Sequence, residues 1–458
     1  MRALRFVFPL CAALALFAIV FAGDPPPAKK PWGPKEKKAF AALLQKYVAA
    51  EAKDRPAIMT EIKALEIAGD QIAKQLPTVF SVIMQNGKKS EGKGDNHTVL
   101  PERLFTDDQW KKDHKGHYLI NGDSKAKQGK PLPLFIALHG GGKNSADAGG
   151  AAGQWAGASS KCIVVAPWVL EPLTEGEWNK DNEQEWLHLL IDEIKYTYLI
   201  DTNRIYVAGH SMGGYGSWGM GGHHPGLFAA VGPCASAPIV RYENGRVLYH
   251  EPGCLENFYN TWLRFYNCPD DTQVPVHGSR YADAKFKEWD YKIDGKPSWD
   301  YHEYQGIGHG YPPDSLGPII DWMLARTRNA YPKKLIWMPT RQYRPYSYWL
   351  SVEEVPGNAG ERCRIEAEIK DNVVDVNFTK FTPKVTVWLC EQLVDFKKPV
   401  IIRINGTEKF NGMMAPSFEV AVESAVQRND SNMIFTAKAM LFDLPPVDPN
   451  GGTTSTGK

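Results

Sequence analysis

Between residues 130 and 330 the chain alternates short apolar runs with helical stretches, and this pattern restricts its fold more than any other feature. Runs at 133–138, 162–166, 204–208, 228–231 and 262–266 are too short for ordinary helices. Between them, at 186–198, apolar residues recur at three- and four-residue steps. Strand–helix–strand order makes successive strands parallel, and a parallel sheet must be covered by helices on both faces. The expected class is therefore α/β, with a mostly parallel, doubly wound sheet. In such sheets chemistry gathers at the carboxyl ends of the strands.

The flanks have a different texture. Residues 35–76 carry Phe40, Leu43, Leu44, Tyr47 and Val48 at helical spacing, with Gly69 and Pro77 as breakers. They predict one or two amphipathic helices capping the main domain. Beyond Pro332 the helical pattern stops, and 364–369, 373–378, 384–389 and 400–404 read as strands, the last followed by an Asn-Gly turn. Segments 418–422 and 434–439 would add two more, giving a small all-β, sandwich-like domain. A chain of 458 residues exceeds what one core normally fills. The expected division is a signal peptide at 1–22, a linker and helical segment at 23–94, a catalytic domain at 95–332, the β domain at 333–444 and a disordered tail at 445–458.

The leader assignment rests on Arg2 and Arg5 before an apolar run at 6–21, with small residues near its end and three prolines after it. The run is short for a membrane span, and no later stretch is apolar enough to be one. A secreted or periplasmic location is expected, with no transmembrane span after processing. Six cysteines then remain, Cys162, Cys234, Cys254, Cys268, Cys363 and Cys390, with no C-x-x-C pair to suggest a structural metal. Free buried thiols are the simple expectation, a Cys234–Cys268 disulfide the alternative. With 53 Lys and Arg against 52 Asp and Glu, no charge field recruits nucleic acid.

The chemistry lies in Gly209-His210-Ser211-Met212-Gly213, a G-x-S-x-G string directly after a strand and before a Gly-rich helical start. A nucleophilic serine on a sharp strand-to-helix turn needs small neighbours so that adjacent backbone can pass. His139-Gly140-Gly141-Gly142 closes an earlier strand, and glycine amides there, with the amide of Met212, would face an oxyanion. The string lacks the Lys-Ser/Thr of a phosphate loop. His309 sits in Gly306-Ile-Gly-His-Gly310, and Asp270 and Asp271 follow the strand near Asn267. Serine, acid, histidine is the hydrolase order. Asp271 is the expected acid, from its D-x-x-V-P context, and Asp270 a turn cap or surface charge. Trp168 and Tyr311 are candidate substrate contacts, with core packing as the alternative. His223 and His224 read as groups serving a helix C-terminus. In the β domain, Trp337, Tyr346, Tyr348 and Trp349 either bind carbohydrate or pack.

Residues 201–214, together with Leu138-His-Gly-Gly-Gly142 and the Asp271 and His309 loops, resemble secreted α/β-hydrolase esterases of the polyhydroxybutyrate-depolymerase and feruloyl-esterase kind. They also resemble the prolyl-oligopeptidase catalytic domain. The likeness covers about 97–330, and departs where Asn267-Cys268 stands in place of His-Gly. It implies a Ser211–His309–Asp271 mechanism without metal or organic cofactor, acting on small-molecule or polymer-borne esters. A serine peptidase and a non-catalytic binding protein on a hydrolase frame are the alternatives.

Overall fold

The computed structural model describes residues 19–21, 33–51, 53–65, 72–87, 89, 116–124, 130–141, 147–170, 177–357, 362–378 and 384–441. Gly69, Gly142, the expected tail and most of the expected leader and linker lie outside them.

Three helices open the described chain: α1 (Pro34–Ala49), α2 (Arg55–Lys63) and α3 (Ile72–Asn86). Pro77, expected to break the pattern, lies inside α3. Losing one helical hydrogen bond there is offset by packing, since Val79, Val82 and Ile83 bury against Phe40, Leu44 and Tyr47. The expected one or two helices are thus three. They do not simply cap the main domain: their cluster also takes in Phe418, Ala421, Val422 and Ala425 of the C-terminal module.

The central sheet has seven strands: β1 (Tyr118–Asn121), β2 (Leu132–Leu138), β3 (Ile163–Pro167), β4 (Ile200–His210), β5 (Ala230–Cys234), β6 (Trp262–Asn267) and β7 (Trp299–Glu303). Their order is β1-β3-β2-β4-β5-β6-β7, parallel throughout except for β1. One face is covered by α5 (Asp181–Thr197) and α6 (Met212–His223), the other by α4 (Ala148–Gln154) and α8 (Gly317–Leu324); α7 (His277–Trp289) follows β6. This is the α/β-hydrolase fold. Residues 299–303 carry no strand pattern in the sequence, because Asp300, His302 and Glu303 break the apolar run, as an edge position permits.

The C-terminal module stacks two five-stranded sheets. One contains Lys334–Trp337, Ile365–Lys370, Val373–Phe378, Val400–Ile404 and Thr407–Gly412. The other contains Tyr346–Ser347, Leu350–Val352, Val385–Leu389, Ala437–Leu441 and Ile19–Phe21, the last three residues of the run read as a leader. The module is not all-β. Residues 418–422, expected as a strand, begin helix α9 (Phe418–Arg428), capped by Ser417 Oγ accepting from Val420 N at 3.4 Å and ended by Asn429 in the left-handed region. Trp337, Tyr346, Tyr348 and Trp349 are all buried, so they pack rather than present a binding face.

Candidate active site

The strand β4 ends at His210, α6 begins at Met212, and Ser211 between them has φ 57° and ψ −120°. A non-glycine residue there carries about 1–3 kcal/mol of backbone strain, held in place only by surrounding structure. The constraint is visible in the flanking glycines. A Cβ on Gly213 would sit 2.1 Å from the carbonyl oxygen of Leu138, and one on Gly209 2.5 Å from the carbonyl carbon of Gly213. Nothing larger than hydrogen fits at either position. Ser211 N–H donates to the Cys234 carbonyl at 3.0 Å, tying the turn to β5.

Asp271 follows β6, and its Oδ2 lies 2.7 Å from His309 Nδ1. Its Oδ1 accepts the amides of Gln273 at 2.8 Å and Val274 at 2.9 Å. Burial raises the affinity of this carboxyl for a proton. The hydrogen bonds from His309, Val274 and Gln273 more than offset it, so the pKa lies below the ordinary carboxylate value. The carboxylate stays charged and fixes Nδ1–H, leaving Nε2 of His309 as the ring's acceptor. His210 abuts the pair, its ring centroid 4.9 Å from that of His309. Burial first, then the neighbouring His309, push its pKa down to about 4. His210 is therefore neutral at physiological pH.

Gly140 lies against Ser211: a Cβ on it would be 3.5 Å from Ser211 Cβ and 2.8 Å from the His210 carbonyl oxygen. His139, buried, holds the turn from behind. Its Nε2 accepts from Val169 N–H at 3.3 Å, so Nδ1 carries the proton and donates to the Gly140 carbonyl at 2.9 Å. Burial lowers its pKa against the opposing effects of that carbonyl and of Asp147, consistent with a neutral ring. Because C=O and N–H point opposite ways across a trans peptide, holding the Gly140 carbonyl also fixes the Gly141 N–H. Met212 is the first residue of α6, where backbone N–H groups lack helical partners.

The other candidates separate. Tyr311 is exposed, with its ring 4.5 Å from that of His210. Trp168 instead meets His117 edge-on at 6.3 Å and packs beneath the sheet. His224 caps α6, Nδ1 donating to the Met220 carbonyl at 3.2 Å, while His223 is buried against Gln184 and Arg341. Cys234 and Cys268 are buried free thiols, so they form no disulfide with each other. Among the described residues no cluster of three or more His, Cys, Asp or Glu side chains could hold a metal ion. Asp270, expected as a turn cap or surface charge, is exposed and caps the His309 loop, accepting two of its backbone amides. Residues 240–250 were missed: they form a hairpin with exposed Tyr242, Leu248 and Tyr249, its Gly245 turn lying beside His277 of α7. No helix among the described residues is long and apolar enough to cross a membrane.

No family model matches the chain. Over 222 residues it is 28% identical to an uncharacterized secreted protein of Arthroderma benhamiae, covering 42% of this chain and 22% of that one. Over 177 residues it is 24% identical to the bifunctional acetylxylan esterase/xylanase XynS20E of Neocallimastix patriciarum, covering 35% and 26%. The chain thus spans about a quarter of the length of these curated relatives. Among solved structures it is similar to a thermostable esterase, at 24% identity, TM-score 0.34, over 46% of this chain and 59% of that one. Esterase 2 of Thermogutta terrifontis gives 13%, TM-score 0.36, over 52% and 92%. Est1E from Butyrivibrio proteoclasticus gives 14%, TM-score 0.31, over 46% and 92%.

Proposed function

We propose that this chain is a secreted serine hydrolase that cleaves carboxylic esters through an acyl-enzyme. The observation that carries the reading is a strained Ser211 at the strand-to-helix turn, next in sequence to His210, whose ring lies 4.9 Å from that of His309, itself bonded to buried Asp271 at 2.7 Å. His309 Nε2 takes the proton from Ser211 Oγ as the oxygen attacks the ester carbonyl. Amides of Met212 and of Gly140 or Gly141 stabilise the oxyanion, each worth about 2.7–4 kcal/mol. The alcohol leaves with the proton held by His309. Water, deprotonated by the same histidine, then releases the acid and restores Ser211.

An ester, rather than an amide, is supported by the His139-Gly-Gly-Gly142 string, a form associated with esterases and lipases. The relative named as an acetylxylan esterase supports it too, and the relative named as a secreted protein supports export. The test has two stages. A fluorophosphonate probe should label wild type and not Ser211→Ala; an unlabelled wild type would leave a binding protein on a hydrolase frame. kcat/KM for acetyl, feruloyl and short-chain aryl esters should then exceed that for proline-containing peptides, and the reverse would make the chain a peptidase.

A further inference from the structure

The loop that carries His309 is poorly suited to hold a base still. It has glycine at 306, 308 and 310, with φ of 79° at Gly306 and 56° at Gly308. Glycine loses more backbone freedom on ordering than any other residue, so this loop is ordered only where something grips it. One grip is on the imidazole, through Asp271. A second is at the far end, where the Gly310 carbonyl accepts from Tyr266 Oη–H at 3.1 Å and His210 Nε2–H at 3.3 Å. The third is Asp270. Its Oδ1 accepts Gly306 N–H at 3.0 Å and its Oδ2 accepts Gly308 N–H at 2.8 Å.

We infer that Asp270 is a positioning residue for the catalytic base: two consecutive carboxylates at the end of β6 divide the loop between them, Asp271 gripping the imidazole and Asp270 the backbone. The inference rests on Ser211 and His309 acting as proposed above. Amide bonds to a carboxylate are charge-assisted and stronger than those to a neutral acceptor. The two amides bracket Ile307, and Gly308 is bonded to His309. A shift of the Gly308 peptide therefore moves the imidazole directly. Misplacing a catalytic group by ~1 Å costs on the order of 100-fold in rate. Asp270 is exposed and bonds only loop amides among its described contacts, so its removal should leave the core intact.

The experiment compares Asp270→Asn and Asp270→Ala with wild type and with Ser211→Ala, on a small aryl ester. Asn retains one acceptor and Ala none, so kcat should fall about 10-fold and about 100-fold respectively. KM should stay within about twofold, because the role inferred for Asp270 is to place the base rather than to hold substrate. The rate of fluorophosphonate labelling of Ser211 should fall in step with kcat, with complete labelling at long times. Either variant keeping wild-type kcat and labelling rate would overturn the inference, as would a rise in KM at constant kcat. A lowered Tm with unchanged kcat would do so too, since it makes Asp270 merely structural. Should Asp270→Ala not fold, Asp270→Asn decides alone. An active Ser211→Ala would instead bring down the functional reading, and with it the need for any clamp.

Discussion

At the residue scale, the triad assignment depends on three groups acting as a unit. Ser211→Ala or His309→Ala should lower kcat by about 10⁴–10⁶ with the fold unchanged, as judged by circular dichroism. Activity within tenfold of wild type in either would refute the assignment. Asp271→Asn should cost about 10⁴, because an amide can present its N–H to Nδ1 and stabilise the wrong tautomer. Steady-state kinetics should rank it well below Asp270→Asn. Ser211, His309 and Asp271 stand out as candidates in the sequence because each sits in a short string whose glycines, or whose place at a strand end, announce a special backbone. Asp270 does not. Its role comes from a loop 36 and 38 residues away, and nothing local distinguishes it from a turn cap.

At the element scale, α6 breaks an ordinary rule. Six of its 12 residues are glycine, each about 1 kcal/mol worse than alanine in a helix interior. The helix tolerates them because it is buried against β2, β4 and β5, and backbone or side-chain atoms of neighbouring segments lie where Cβ atoms would go. A Cβ on Gly216 would lie 2.4 Å from Trp178 Cβ, and one on Gly219 2.1 Å from Asn179 Oδ1. Gly216→Ala should therefore destabilise by about 1–3 kcal/mol in denaturant unfolding, reversing the gain that helix propensity alone predicts. A net gain would mean the helix is less tightly seated than its contacts imply. The same element shows what a sequence reveals and what it hides. The β4–turn–α6 frame was readable because strand, breaker and helix follow in one short stretch. Helix α9 was not, because Phe418, Val420 and Val422 suggest alternation over five residues, and helical burial becomes evident only with Ala421 and Ala425. A five-residue window does not separate the two periods.

At the scale of the whole molecule, the α/β and C-terminal parts are joined by buried polar groups rather than by apolar contact alone. Arg328, just after α8, is fully buried and bonds Asp430 at 2.7 Å and 3.1 Å, while Thr202 of β4 donates to Asp430 at 2.6 Å. Burial raises the Asp430 pKa, but Arg328 foremost, with Lys195 and Thr202, more than offsets it, so the carboxyl stays below its ordinary value. Removing one partner of such a pair strands the other charge and typically costs about 3–5 kcal/mol. Arg328→Met should therefore loosen the C-terminal module, seen as a lower midpoint in urea. An unchanged midpoint would show the pair to be dispensable.

The same junction holds a histidine cluster whose titration works in the opposite range of pH. His188 of α5 stacks on His224 at 5.9 Å, and His224 Nε2 lies 2.8 Å from the Tyr343 hydroxyl. His223 neighbours Arg341 at 2.8 Å. Burial, before any charge effect, lowers the pKa of His188 and His223 to about 4, and His224 falls well below its ordinary value. Unfolded, each would take up a proton near 6.5. Below about pH 6.5 the unfolded chain therefore binds protons that the folded chain refuses, and stability falls with pH until the folded values near about 4 are reached. Each such histidine contributes a slope of about 1.4 kcal/mol per pH unit. Asp430 adds no slope in this window, because a depressed carboxylate loses its contribution only below about pH 4. Unfolding free energy, measured in urea from neutral pH downward, should thus drop steeply before the carboxylates titrate. His188→Gln should remove about one histidine's share of that slope, whatever its effect at neutral pH. A variant with the wild-type slope would show that His188 is protonated in the folded protein as readily as in the unfolded one.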